Sequence, residues 1–206
     1  MKKIFVNLFI FFIISTSCNS FTREEVMRLY ENSTLTGSTI MLGDSITYLG
    51  PWNDLFSTQD IINRGVSADT TAAVLSRLNT LPKINASRVF IMLGVNDCFT
   101  SVSVDKIFEN YKNIIETLQN YSLEVIIQST LQCNNNLKKG CPSANQKVKA
   151  LNALLKNYAQ VKKIRFLDLN PTLANTQEGL NPQFTEDGLH LNMLGYEKWA
   201  SILASF

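Results

Sequence analysis

Apolar positions along the chain follow two periods that take turns. Short apolar and β-branched runs at 39–42, 60–63, 89–93, 125–127 and 164–169 read as strands. Between them, residues 71–78, 106–118 and 148–158 repeat their apolar positions at helical spacing, and 196–203 close the chain in the same way. An earlier helix is signalled by Thr22-Arg23-Glu24-Glu25, a Thr-x-x-Glu capping box, followed by Val26, Met27, Leu29 and Tyr30. Strands that are apolar on both faces must be covered on both faces, and each parallel return needs a crossover. The pattern therefore predicts an α/β fold in which a parallel sheet lies between two helical layers, a three-layer α/β/α sandwich. No repeat, low-complexity tract or linker interrupts it, so residues 19–206 read as one domain.

The first residues follow a different pattern. Lys2 and Lys3 precede an apolar run of 11 residues from Ile4 to Ile14, and Ser15-Thr16-Ser17-Cys18 follows. Residues 1–18 read as a signal peptide, because the run is too short to cross a bilayer as a helix of about 20 residues. No later segment is long and apolar enough to span. The expectation is an exported protein: periplasmic, extracellular or an outer-membrane lipoprotein. Cys18 stands where a bacterial lipoprotein signal carries its modified cysteine, although Ser15 occupies a position usually held by Leu, Val or Ile, so simple cleavage and a lipid anchor at Cys18 are both open.

Charge and cysteines narrow the classes. Without Lys2 and Lys3, the 19 basic residues become 17, against 17 acidic ones. A balanced surface carries no footprint for nucleic acid or for a strongly anionic membrane, and it suits a small-molecule or carbohydrate substrate. Cys133 and Cys141 bracket a polar loop that a disulfide can close in an oxidising compartment. Zinc is the poorer reading, since one cysteine pair without clustered histidines supplies too few ligands. Cys98 is expected to be a buried, inert thiol.

Candidate chemistry collects at strand ends. The first strand runs into Gly43-Asp44-Ser45-Ile46-Thr47, and a serine just past a buried strand is where open α/β sheets place ligand chemistry. A helix starting after Ser45 would aim free N–H groups at the same spot; a Gly-Asp-Ser turn that only caps a helix is the alternative. The second strand ends in Asn63-Arg64-Gly65 and the third in Gly94-Val95-Asn96-Asp97. A glycine N–H and an asparagine amide are donors suited to an oxyanion. The single histidine, His190, lies in Asp187-Gly188-Leu189-His190. Acyl transfer by a serine needs a base, and the base needs a carboxylate to hold its tautomer, which Asp187 can provide across the glycine turn.

In order, Gly43-Asp44-Ser45-Ile46, Gly65, Gly94-Val95-Asn96-Asp97 and Asp187-Gly188-Leu189-His190 resemble the four motif blocks of the SGNH, or GDSL-type, hydrolases. Ile46 departs from the leucine of the family's name. The resemblance implies a flavodoxin-like sheet of order 2-1-3-4-5 with Ser45 as nucleophile, His190 as base and Asp187 as its carboxylate. It also implies an oxyanion hole made of the N–H groups of Ser45 and Gly65 and the side chain of Asn96, with no cofactor and no metal. The stretch from Gly50-Pro51-Trp52 through Asn63-Arg64-Gly65 to Thr71 is similar to bacterial platelet-activating-factor acetylhydrolase-like proteins and carbohydrate acetylesterases.

Trp52 reads either as a sugar-stacking platform or as a core anchor. Arg64 reads either as the partner of an acidic substrate group or as half of a structural salt bridge. Asp44 and Asp97 are expected to orient neighbours by hydrogen bonds rather than to bind metal. The expected activity is hydrolysis of a short acyl ester, acetyl on a sugar first, a lysophospholipid or thioester second. A carbohydrate-binding module without turnover is the alternative from another class.

Overall fold

The apolar runs at the strand positions lead to five parallel strands: β1 (Thr39–Gly43), β2 (Ile61–Gly65), β3 (Arg88–Met92), β4 (Glu124–Gln128) and β5 (Arg165–Leu167). They belong to a computed structural model that describes residues 21–57 and 60–204. The leader expected at 1–18, with Cys18, lies outside the described residues. The strand order is β2-β1-β3-β4-β5, the 2-1-3-4-5 arrangement expected. A short antiparallel pair, β6 (Ala174–Asn175) and β7 (Gly179–Leu180), stands apart.

Helices occupy the connections: α1 (Arg23–Glu31), α2 (Ser45–Tyr48), α3 (Trp52–Leu55), α4 (Thr71–Leu75), α5 (Val95–Cys98), α6 (Val104–Asn120), α7 (Cys141–Lys162), α8 (Asn170–Leu173) and α9 (Met193–Ala204). One helical group consists of α6 with α4 and α7 against it, another of α9 with α3 and α8 against it. The sheet between them makes the three-layer sandwich. Its central residues Ile40, Leu42, Ile91 and Ile127 are wholly buried, as near-continuous apolar strands require. No helix among the described residues is long and apolar enough to cross a membrane.

Long helices follow their periods. Ile107, Tyr111, Ile114, Ile115 and Leu118 form the buried face of α6, which begins at the N-cap Ser103, whose hydroxyl accepts the Lys106 N–H. The predicted capping box of α1 is present in both directions between Thr22 and Glu25. Differences lie at the ends. The helix at 71–78 stops at Leu75, and α7 starts seven residues before 148, because its first turns bury the small residues Cys141, Ala144 and Asn145 rather than a large apolar stripe.

Register sets up the site. Gly43 of β1 is level with Gly65 of β2 and with Met92 of β3. The segments after these three strands therefore leave the sheet along one edge, beside the strand-order switch.

Candidate active site

At Gly43 the chain turns tightly into α2, and a Cβ there would lie 2.1 Å from Thr47 Oγ1 and 2.3 Å from the Met92 carbonyl. Only glycine fits. Asp44 then caps α2, its Oδ1 accepting the Ile46 N–H at 3.0 Å. The segment thus caps α2 through Asp44 and leaves Ser45 one residue later at the strand end. Ser45 is 9% exposed. Tyr196 on the last helix donates to the Ile46 carbonyl at 2.7 Å, a brace that no local motif announces.

Ser45 Oγ lies 2.9 Å from His190 Nε2, and His190 Nδ1 lies 2.6 Å from Asp187 Oδ2. The turn that delivers the histidine is built on Asp187, whose Oδ1 accepts the N–H groups of Leu189 and His190, each at 2.8 Å. Thr185 Oγ1 accepts the Gly188 N–H at 2.9 Å. Burial works to raise the Asp187 pKa, but these backbone donors and the histidine ring outweigh it and hold the carboxyl at about 2. It is therefore ionised at neutral pH. The loop closed by the Cys133–Cys141 disulfide buttresses the same turn, with the Asn134 N–H donating to the Gly188 carbonyl at 2.7 Å. Cys98 is a buried free thiol, its pKa pushed up to about 12 by burial.

Of the three expected oxyanion donors, Ser45 and Asn96 each keep an N–H that no hydrogen bond among the described residues consumes, and Gly65 does not. Ser45 opens α2, so its N–H has no partner within the helix. Asn96 spends one amide hydrogen on the Asp69 carbonyl at 3.0 Å and keeps the other. Gly65 departs from expectation. Its N–H donates to Asn63 Oδ1 at 2.9 Å and its carbonyl accepts the Tyr30 hydroxyl at 2.8 Å. On the edge strand β2 that N–H has no neighbouring strand to receive it, and Asn63 satisfies it instead. The turn that follows, closed by the Asp69 N–H on the Val66 carbonyl at 3.2 Å, holds Ala68 at φ +62°. That left-handed conformation is uncommon without glycine. Ala68 is exposed, and its N–H makes no hydrogen bond among the described residues. The signal that could have found it is the Ser67-Ala68-Asp69 turn directly after a strand.

The flanking residues resolve as follows. Asp97 accepts the Thr71 N–H at 2.9 Å and the Thr71 hydroxyl at 2.7 Å, an orienting role as expected. Trp52 is 2% exposed, its indole N–H donates to the Thr47 carbonyl at 3.0 Å, and its ring meets Trp199 edge-on at 4.8 Å. It is a core anchor, not a platform. Arg64 is not half of a salt bridge: buried, it stacks on Tyr30 at 4.4 Å, donates to the Asn63 carbonyl and Ser33 Oγ, and pairs with no carboxylate among the described residues. The buried ion pair nearby is Arg77 with Asp69, which sequence reasoning missed. No group of three or more His, Cys, Asp or Glu among the described residues could hold a metal ion.

The model of the GDSL-like lipase/acylhydrolase family matches residues 41–198. This chain belongs to that family. Among its relatives, the N-acylneuraminate cytidylyltransferase of Streptococcus agalactiae is 27% identical over 170 residues, 82% of this chain and 38% of the relative. The chain therefore spans well under half of that relative's length. The platelet-activating factor acetylhydrolase IB subunit alpha1 of Rattus norvegicus is 26% identical over 168 residues, covering 76% of this chain and 69% of the relative. A solved GDSL-like lipase from Bacteroides thetaiotaomicron superposes with a TM-score of 0.73 at 28% identity, covering 81% of this chain and 85% of the other.

Proposed function

We propose that this GDSL-like hydrolase is a serine esterase that removes short acyl groups, acetyl first, from a carbohydrate, with Ser45, His190 and Asp187 as its triad. The observation that carries the reading is the unbroken relay from Ser45 Oγ through both ring nitrogens of His190 to Asp187. Ser45 Oγ attacks the acyl carbonyl and passes its proton to His190 Nε2, while Asp187 holds Nδ1 and stabilises the imidazolium. The oxyanion takes the N–H groups of Ser45 and Ala68 and the second amide hydrogen of Asn96. His190 then protonates the departing alkoxide, and a water activated by the same ring hydrolyses the acyl-enzyme. Every proton has a protein group to hold it, so the cycle is written without cofactor or metal. A binding module without turnover would have no use for such a relay.

The substrate reading is supported by exposure and by names. The His190 side chain is 33% exposed and that of Asp187 47%, so a bulky leaving group meets no roof there. One relative is named for an acetylhydrolase and another for an N-acylated sugar acid. A second reading, a longer acyl chain as in a lysophospholipid or thioester, is favoured by an apolar cavity of about 440 Å³ between α1 and Tyr48, lined by Phe21, Val26, Leu29 and Tyr30. We further propose that the protein is exported, a reading supported by the Cys133–Cys141 bridge. N-terminal sequencing of protein from its native compartment tests the cleavage near Cys18.

Hydrolysis of p-nitrophenyl esters of increasing acyl length, with acetylated sugars and lysophospholipids alongside, separates the substrate readings. A fluorophosphonate should label Ser45, and Ser45→Ala should lower kcat by about 10³-fold or more while keeping the fold. Full activity in that variant, or a label on another residue, would overturn the triad.

A further inference from the structure

Behind the site lies a buried charge network that no step above uses. Arg77 is 2% exposed, and its guanidinium reaches three separate segments. Nε donates to Asp69 Oδ2 at 2.6 Å, while Nη2 donates to the carbonyls of Gly43 at 3.1 Å and Arg64 at 3.0 Å. Asp69 is equally buried and accepts Arg23 Nε on its other oxygen at 2.9 Å. Taking a guanidinium and a carboxylate out of water is costly unless geometry and added hydrogen bonds compensate. An apolar pair of similar volume would hold a fold as well, so stability alone is a weak reason for these two residues.

Their acceptors suggest another reason. Gly43 ends β1 two residues before Ser45. Arg64 lies two residues before Val66, which opens the turn holding Ala68. Asp69 closes that turn, and its carbonyl receives the Asn96 amide at 3.0 Å. The three oxyanion donors come from three different segments, and Arg77 ties the first two directly and the third through Asp69.

We propose that Arg77, through Asp69, is a positioning residue that sets the oxyanion hole, an inference that rests on the Ser45 reading above. Donors serve the transition state only when aimed at the developing charge, and misplacement by about 1 Å costs on the order of 10² in rate. Pinning the turn from its buried side also holds Ala68 in its left-handed conformation, which an alanine would otherwise leave.

The test compares Arg77→Met, Arg77→Lys, Asp69→Asn and Ser45→Ala on p-nitrophenyl acetate, with kcat expressed per folded molecule. Arg77→Met should lower kcat by about 10²-fold while KM stays within about threefold, and Arg77→Lys should recover part of the loss. A trifluoromethyl ketone, which binds serine esterases as a tetrahedral oxyanion, should lose affinity by the same factor as kcat. If Arg77→Met does not fold, Arg77→Lys and Asp69→Asn carry the same comparison. A kcat within about twofold of the parent, with only the melting temperature lowered, would reduce Arg77 to a brace for the fold and overturn the inference. Activity surviving in Ser45→Ala would instead remove the nucleophile reading, so the two failures are distinguishable.

Discussion

Asp44 spends one carboxyl oxygen on the cap of α2 and keeps the other, Oδ2, buried without a partner among the described residues. Burial raises its pKa to about 7, opposed by the Ile46 N–H and reinforced by the charges of Asp69 and Asp97. In the unfolded chain the ordinary value of 3.8 applies, so between about pH 4 and 7 the folded protein holds a proton that the unfolded chain has lost. The contribution of Asp44 to stability is therefore full below about pH 4 and is lost as pH rises through about 7. Asp187, held at about 2, acts with the opposite sign, its contribution present above about pH 4 and lost as pH falls through about 2. Asp44→Asn keeps an oxygen for the cap and removes the charge. Urea unfolding at pH 5 to 8 should then show a flatter profile, with the variant more stable than the parent at about pH 8 by a few kcal/mol, on the scale of about 1.4 kcal/mol per tenfold change in proton affinity. Equal pH slopes in the two proteins would contradict this account. At this scale the meeting of the Ser45, His190 and Asp187 side chains was legible because their spacing to a strand end or a turn is local. The loss of Gly65 as a donor was not, since it depends on where the Asn63 side chain points.

The loop between Cys133 and Cys141 is the element on which the His190 turn leans. Asn134 donates its N–H to Gly188 and accepts the N–H groups of Asn136 and Leu137 on its side chain, so the loop is a small ordered unit. Replacing both cysteines by alanine should cost about 2 to 3 kcal/mol by guanidinium unfolding, the scale of a short closed loop. It should also lower kcat with little change in KM, because the loosened element supports the turn that carries His190, the proposed base, rather than the substrate. Unchanged stability and rate would show that Asn134 and its neighbours hold the loop without the bridge. Among elements, α6 was legible within two residues at each end because its apolar stripe is long. The four-residue helices α3, α5 and α8 were not, since a single turn is shorter than the window in which helical periodicity can be counted.

Across the whole molecule, Trp52, Tyr196 and Trp199 join α3 to the C-terminal helix α9, and the Trp199 indole donates to Gln128 of the central sheet at 2.7 Å. Trp52→Ala should destabilise the protein by about 3 to 5 kcal/mol, the usual cost of deleting a large buried aromatic side chain. Per folded molecule, kcat and KM for acetylated sugars should stay unchanged, and a raised KM restricted to sugar esters would restore Trp52 as a platform. Sequence by itself determined the alternation of strands and helices, hence the covered parallel sheet, and the segments that bear Ser45, Asn96, Asp187 and His190. These follow from periods of two and 3.6 residues and from short motifs, which are properties of neighbouring residues. Tertiary structure alone decided that Asn63 takes the Gly65 N–H, that Trp52 is sealed in the core, that Arg64 stacks on Tyr30 and that Arg77 pairs with Asp69. Each of these is a competition for one hydrogen bond or one space among side chains brought together by folding, and no local pattern records which of them wins.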